Sequence, residues 1–367
     1  MDSPHYLSSK PPLESHASSA TKGHNPRETV VPDRAAAEAG IHLALVPASL
    51  FSNQQQNQAE YWLNRGNDDY QANQLESAAQ AFTQSHTLYL AMHNPAGQAR
   101  SLSGLGLTYY SMKHYSKAIQ FSNQALLIAQ HLADRRILIK ILSTLGNAYR
   151  HLKDLPLAIE YQEQSLAIAQ ELHDRRGEMA ALNNLGLAYK ALGNPERAIQ
   201  YEEQSLEIAR ELHDTQVEDQ ILKNLGNACY ALGQYDQAIH HYKARLVLTR
   251  LAGHHRAESQ VLRNLSNTYY TLGDYDQAIV YSQERLAIVQ ALGDSRSEEQ
   301  VLGSLGVLYD ALGDYEAAVR YYEQRLAVAR QLQDIRVEEQ VLGSLKIAYI
   351  ALGNLYKASE CSHYQTS

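Results

Sequence analysis

Residues 183–214 read NNLGLAYKALGNPERAIQYEEQSLEIARELHD, and on either side the same pattern returns every 40 residues. Its opening pair stands at Leu105-Gly106, Leu145-Gly146, Leu185-Gly186, Leu225-Gly226 and Leu305-Gly306, with one replacement at Leu265-Ser266 and Leu345-Lys346. No insertion or deletion disturbs the spacing. A fixed period of this length specifies a stack of small supersecondary units, each able to bury its apolar side only against its neighbours.

The apolar spacing names the elements. Val217, Ile221, Leu222, Leu225, Ala228, Cys229 and Leu232 keep to one face of a helix. Gly233-Gln234 interrupts, and Tyr235, Ala238, Ile239, Tyr242, Leu246 and Leu248 form a second apolar series. Each unit therefore reads as a helix, a tight Leu-Gly-x turn and a longer second helix. Gly193, Gly233, Gly273, Gly313 and Gly353 fall just past the first helix, where a left-handed residue ends it at least cost. Asn194-Pro195 reads as a cap and a first-turn proline. Asp134, Asp174, Asp214, Asp294 and Asp334 suit the cap of each following first helix. Glu178, Glu218, Glu258, Glu298 and Glu338 lie one turn in, where the helix dipole favours negative charge.

Composition limits the alternatives. The chain has 367 residues and a net charge of -8, which argues against a nucleic-acid or anionic-membrane binder. No apolar run reaches the roughly 18 residues of a membrane span, and the start, MDSPHYLSSKPPLESH, has no secretory-signal pattern. Of the two cysteines, Cys361 lies near the end and Cys229 takes a slot held by Tyr189 and Tyr269 in other units, which reads as packing. A reducing cytoplasm is the expected compartment. Residues 1–52 carry Pro4, Pro11, Pro12, Pro26, Pro32 and Pro47 and too little apolar surface to offset ordering, so they read as a disordered tail with one short helix near Arg34–Val46.

The order Leu145-Gly146, Tyr149, Ala158-Ile159, Tyr161, Leu166 resembles the tetratricopeptide repeat, in a long variety similar to that of LGN/Pins/rapsyn adaptors and many bacterial repeat proteins. The resemblance implies an all-α fold, an α-solenoid wound as a right-handed superhelix of about 7.5 helix–turn–helix repeats. The repeats occupy 53–362, centred on Gly66, Gly106, Gly146, Gly186, Gly226, Ser266 and Gly306 with a partial unit at Lys346, and 363–367 form a tail. Gly146 and Ala158 are read as small slots where helices cross closely, so larger side chains there would overpack. Gly104-Leu105-Gly106 then belongs to helix packing rather than to a nucleotide fingerprint.

No pattern of catalytic chemistry emerges. Walker-type glycine loops, His-Glu-x-x-His and Gly-x-Ser-x-Gly are all missing from the sequence, and the chain is read as no enzyme, with no cofactor and no metal. The adjacent pairs His240-His241 and His254-His255 point in different directions on a helix, so they read as solvated or capping side chains; His173 and His213 sit at helix ends.

In tetratricopeptide folds the first helices line the concave side. The stripe they would expose holds Lys140, Ser143, Asn147 and Arg150, then Asn183 and Lys190, then Lys223, Asn227 and Tyr230, then Arg263, Asn267 and Tyr270, with Asn184, Asn224 and Asn264 at the neighbouring slot. Asp310 is the first clear acid on it. Glu160, Glu163, Glu202, Glu203 and Glu207 on the second helices read as the balancing outer charge. Carboxamides can satisfy the backbone of an extended peptide, and the flanking Lys and Arg favour acidic side chains. The family's carboxylate clamp is matched by Lys223, Asn227 and Asn264 but not by Gln300 and Ser304. One further slot runs Ala125, Ser165, Ser205, Arg245, Arg285, Arg325, and its arginines are expected to pair with Glu258, Glu298 and Glu338. The expected role is a scaffold or adaptor for a protein or peptide partner of acidic character, with no nucleic acid and no membrane, the oligomeric state being open. A peptide-sensing regulator and a purely architectural, oligomerising solenoid are the alternatives.

Overall fold

The structure, a computed structural model, describes residues 53–363. The readings for 1–52, including the short helix near Arg34–Val46, and for the tail after 363 lie outside the described residues. What is described is all α. Helices α1 (Asn53–Gln71) and α2 (Leu75–Ala91) form the first pair, α3 (Pro95–Ser111) and α4 (Tyr115–His131) the second, α5 (Arg135–His151) and α6 (Leu155–Glu171) the third. Then come α7 (Arg175–Leu192) with α8 (Pro195–Glu211), α9 (Thr215–Ala231) with α10 (Tyr235–Leu251), and α11 (His255–Leu272) with α12 (Tyr275–Ala291). The array closes with α13 (Ser295–Leu312), α14 (Tyr315–Gln331), α15 (Ile335–Ala351) and α16 (Leu355–His363). Successive helices pack on one another as a solenoid, and the first helices α1, α3, α5 and α7 also touch across units, which makes theirs the closed, inner side.

The second helix is not the longer one. α9 and α10 each have 17 residues, and three-residue turns separate them from their neighbours. The module is thus 20 residues, half the sequence period. A left-handed residue recurs in every turn from Asn73 through Ala133, His173 and Gly193 to Gly353, with φ between 48° and 80°. Gly193 and the residue after it close the helix end, the Gly193 N–H donating to the Lys190 carbonyl at 3.1 Å and the Asn194 N–H to the Tyr189 carbonyl at 2.9 Å. His173 and His213 hold the same backbone position. The acids then start the next helix: Asp134, Asp174, Asp214, Asp294 and Asp334 each accept from a backbone N–H three residues on, at 3.0–3.2 Å.

Each Leu-Gly pair does two jobs. Leu145, Leu185, Leu225, Leu265 and Leu305 are fully buried, and Leu105 and Leu345 nearly so, because the preceding and following units cover them. The glycine lets the second helix lie close. A Cβ on Gly226 would stand 2.4 Å from the Tyr242 ring, one on Gly306 2.3 Å from Tyr322, and one on Gly186 3.2 Å from the Ala198 carbonyl oxygen. Gly104 sits inside α3 against Phe82, which confirms its packing role. An aromatic pair ties the two helices of most units: Tyr149 on Tyr161, Tyr189 on Tyr201, Tyr269 on Tyr281 and Tyr309 on Tyr321, with centroids 5.3–5.6 Å apart. In the α9–α10 unit buried Cys229 and His241 occupy those two slots.

His241 corrects the solvated reading of the histidine pair. It faces the core because its slot is the aromatic one, and burial lowers its pKa to about 4. Among the described residues no cluster of His, Cys, Asp and Glu could hold a metal ion, and no helix is long and apolar enough to cross a membrane.

Ala133 carries a φ of 52° where other turns use glycine. A left-handed alanine costs about 1–2 kcal/mol, which the freedom of glycine in the unfolded chain only partly offsets. Ala133→Gly is therefore expected to raise the free energy of unfolding, measured in urea, by about 0.5–1 kcal/mol. Gly273→Ala, at the same turn position with φ 80°, is expected to lower it by a similar amount.

Candidate functional site

The inner faces of the first helices enclose two hollows. One, of about 810 Å³, runs along α1, α3, α5 and α7 and is lined by Glu60, Asn64, Arg100, Arg136, Lys140, Ser143, Ser165 and Arg176 among others. The second, of about 470 Å³, lies between α11 and α13, lined by Ser266, Asn267, Tyr270, Gln300, Gly303, Ser304, Val307, Leu308 and Arg325. Both walls use the same helical slots three, four and seven residues apart, so the stripe is continuous from unit to unit.

The residues singled out in the sequence divide by what already engages them. Lys140, Lys190, Arg263, Asn267, Tyr230 and Tyr270 are exposed, and Asn147, Arg150, Asn183, Lys223, Asn227 and Asn264 are half-buried. The Tyr230 hydroxyl meets Thr271 of the next unit at 3.3 Å, and Arg150 lies against His151. Asn227 accepts from the buried Tyr242 hydroxyl at 2.8 Å. The neighbouring slot turns further inward: Asn184 donates to Ser143 at 3.2 Å, and buried Asn224 accepts from Gln220 at 3.2 Å. Asn184 and Asn227 thus hold helices to each other, while the Asn224 contact lies within α9. The stripe reading missed Arg100, Arg136 and Arg176, although Arg136 and Arg176 fall four residues before Lys140 and Ala180 and so share their face.

The expected arginine pairing is overturned. Arg245 makes a two-point pair with Asp219 at 2.9 and 3.2 Å, and Arg325 binds Glu299 at 2.7 Å; both partners lie 26 residues back, on the first helix of the same unit. Arg285 meets Ser259 there, at 3.4 Å. The carboxylates once expected to hold them are engaged across the turn instead, Glu258 by Arg250 at 2.9 Å, Glu338 by Arg330 at 2.7 Å and Glu298 by Gln290 at 2.8 Å. The guanidinium reaches the carboxylate beside its own helix crossing, while the following helix offers its acids to the outer end of the turn.

Glu202 is a second correction. Its side chain is 1% exposed, lying over Gly186 in the slot that holds Phe82, Gln162, Tyr242 and Tyr322 elsewhere. Neither carboxylate oxygen has a hydrogen-bond partner. Burial pushes its pKa up to about 7, with Lys190 and the Asn224 amide pulling weakly the other way. The folded chain therefore holds a proton between about pH 4.5 and 7 that the unfolded chain has released, so this stabilisation is complete below the lower value and lost as pH rises through the upper one. Glu202→Gln is expected to match the parent near pH 4.5 and to exceed it by about 3 kcal/mol near pH 8 in urea unfolding.

Comparison with known proteins follows the same lines. Tetratricopeptide repeat family models match residues 138–211, 218–291 and 272–331, and a second such model matches 101–130. Curated proteins yield no match. Among solved structures, a signal-transduction ATPase with a tetratricopeptide repeat sensor from Pyrococcus horikoshii is similar over 84% of this chain at 19% identity, with a TM-score of 0.58. This chain spans 47% of that protein's length. The apo quorum sensor NprR from B. thuringiensis is similar over 86% of this chain and 88% of its own (14% identity, TM-score 0.53). Aspartyl phosphate phosphatase F from Bacillus subtilis is similar over 75% and 71% (19% identity, TM-score 0.52). At such identities the likeness is one of fold. The repeat models cover more than half of the residues, and the chain belongs to the tetratricopeptide repeat family.

Proposed function

We propose that this protein is a non-enzymatic interaction scaffold whose inner face holds an extended, acidic segment of another protein. One observation carries the reading. Along α5, α7, α9 and α11 the stripe of slots three, four and three residues apart holds Lys140, Arg150, Lys190, Lys223 and Arg263 and no acid, in a chain with a net charge of -8. Charge of one sign gathered on one face steers a partner of the other sign. Asn147 and Asn267 add donors and acceptors for a guest backbone and Asn183 its amide donor, whereas Asn184, Asn224 and Asn227 each bond within the array. Cys229 and Cys361 are both buried free thiols, which suits a reducing cytoplasm.

The test must spare Asn227, whose loss would strand the Tyr242 hydroxyl. The full chain and a Lys223→Ala/Asn267→Ala double variant are compared in pull-downs from the source cells at rising salt, with helicity followed by circular dichroism. Unchanged helicity with capture lowered about tenfold, and a parent signal that falls steeply with salt, is the expected result. Capture that survives the double substitution, or that needs only residues 1–52, sinks the groove reading.

A further inference from the structure

One slot of the second helices changes character along the array. Ser165 and Ser205 there donate to the carbonyls of Ile139 and Met179 on the facing first helix, at 3.2 and 2.9 Å. From the next unit on the slot holds arginine. Arg245 is neutralised by Asp219 and Arg325 by Glu299. Between them, Arg285 is 7% exposed and reaches only a hydroxyl, that of Ser259, which is itself 8% exposed. Among the described residues no carboxylate lies within ion-pair distance of it.

Its surroundings make the imbalance larger. Where Arg325 lies over Gly303, the matching position beside Arg285 is a second cation, Arg263. Burial first, and the charge of Arg263 next, hold the Arg285 pKa down to about 10. The one acid acting on it favourably is Asp294, which caps α13 by accepting from the Ser297 N–H at 3.0 Å and also feels Arg256. A buried guanidinium without a counter-ion is costly, and the fold accepts that cost in one unit only. The occupants of the same slot in two other units, Ser165 and Arg325, line the two hollows of the inner face.

Resting on the groove reading above, we propose that Arg285 and Arg263 form an anion site on the floor of the α11–α12 unit, which receives a carboxylate side chain of the guest segment. The guest acid takes the place that Asp219 and Glu299 fill in the flanking units. Arg285 supplies the planar, two-point contact and Arg263 the second charge at the rim.

The probe is a fluorescein-labelled hexaglutamate peptide, read by anisotropy on the full chain at low salt beside a hexaglutamine control. Ser259→Glu builds the missing internal partner, and is expected to raise the thermal midpoint while weakening hexaglutamate at least about tenfold. Arg285→Met is expected to weaken it to a similar degree with helicity intact. Undiminished binding to both variants, equal binding of hexaglutamine, or no binding to the parent overturns the site. Undiminished binding to these two variants with loss in Lys223→Ala/Asn267→Ala would remove the site and leave the groove reading standing.

Discussion

Most units depend on a crossing so close that a bare backbone serves it best. Where a first helix meets its partner, the glycine of the Leu-Gly pair takes a ring or long side chain against its Cα, as Gly226 takes Tyr242 and Gly306 takes Tyr322. That closeness seals the adjacent leucine, and the next pair seals the other side of the same leucine. Neither helix of a pair has enough apolar surface to close a core alone, so the cooperative element is the junction between pairs. Ser266 shows the tolerance of the rule, since its hydroxyl bonds the Ala278 carbonyl at 3.0 Å and Ser282 at 2.7 Å and so converts the crossing from apolar to polar.

The consequences run outward from that junction. Fixed crossings fix the angle of each first helix, and their free faces then align slot upon slot. Side chains on the inner stripe are set by the array rather than by local loops, so their positions are as regular as the backbone. The array's irregularities carry information for the same reason. Glu202, His241 and Arg285 each occupy a slot that other units fill with a better-matched residue, and each shows a displaced proton affinity caused first by burial.

The fold was legible because periodicity is a long-range signal written locally: the leucine spacing marked the buried faces, and the turn glycines and capping aspartates fell where the helices end. The half-period module was less visible, since the turn after the second helix holds His93, Ala133, His173, His213 or Gln333 in most units, at a backbone position that glycine marks elsewhere. At the site, helical spacing identified the face but not the depth. Asn224 and Asn267 differ by three positions in the repeat register, yet one is buried and the other open, because only one points at the neighbouring helix. Pairing was the least legible. Arg245 had acids at several plausible distances in sequence, and only the crossing geometry decides in favour of Asp219.

The equal 20-residue spacing of the left-handed turns makes the array indifferent to its own count. Excising or copying any two adjacent modules rejoins surfaces of the same shape, so such a gene can lengthen or shorten by recombination without passing through an unfolded intermediate design. What changes is the reach of the trough and the order of charges that a guest reads along it. Partner choice can then evolve by shuffling whole modules, while the joints between them stay as they were.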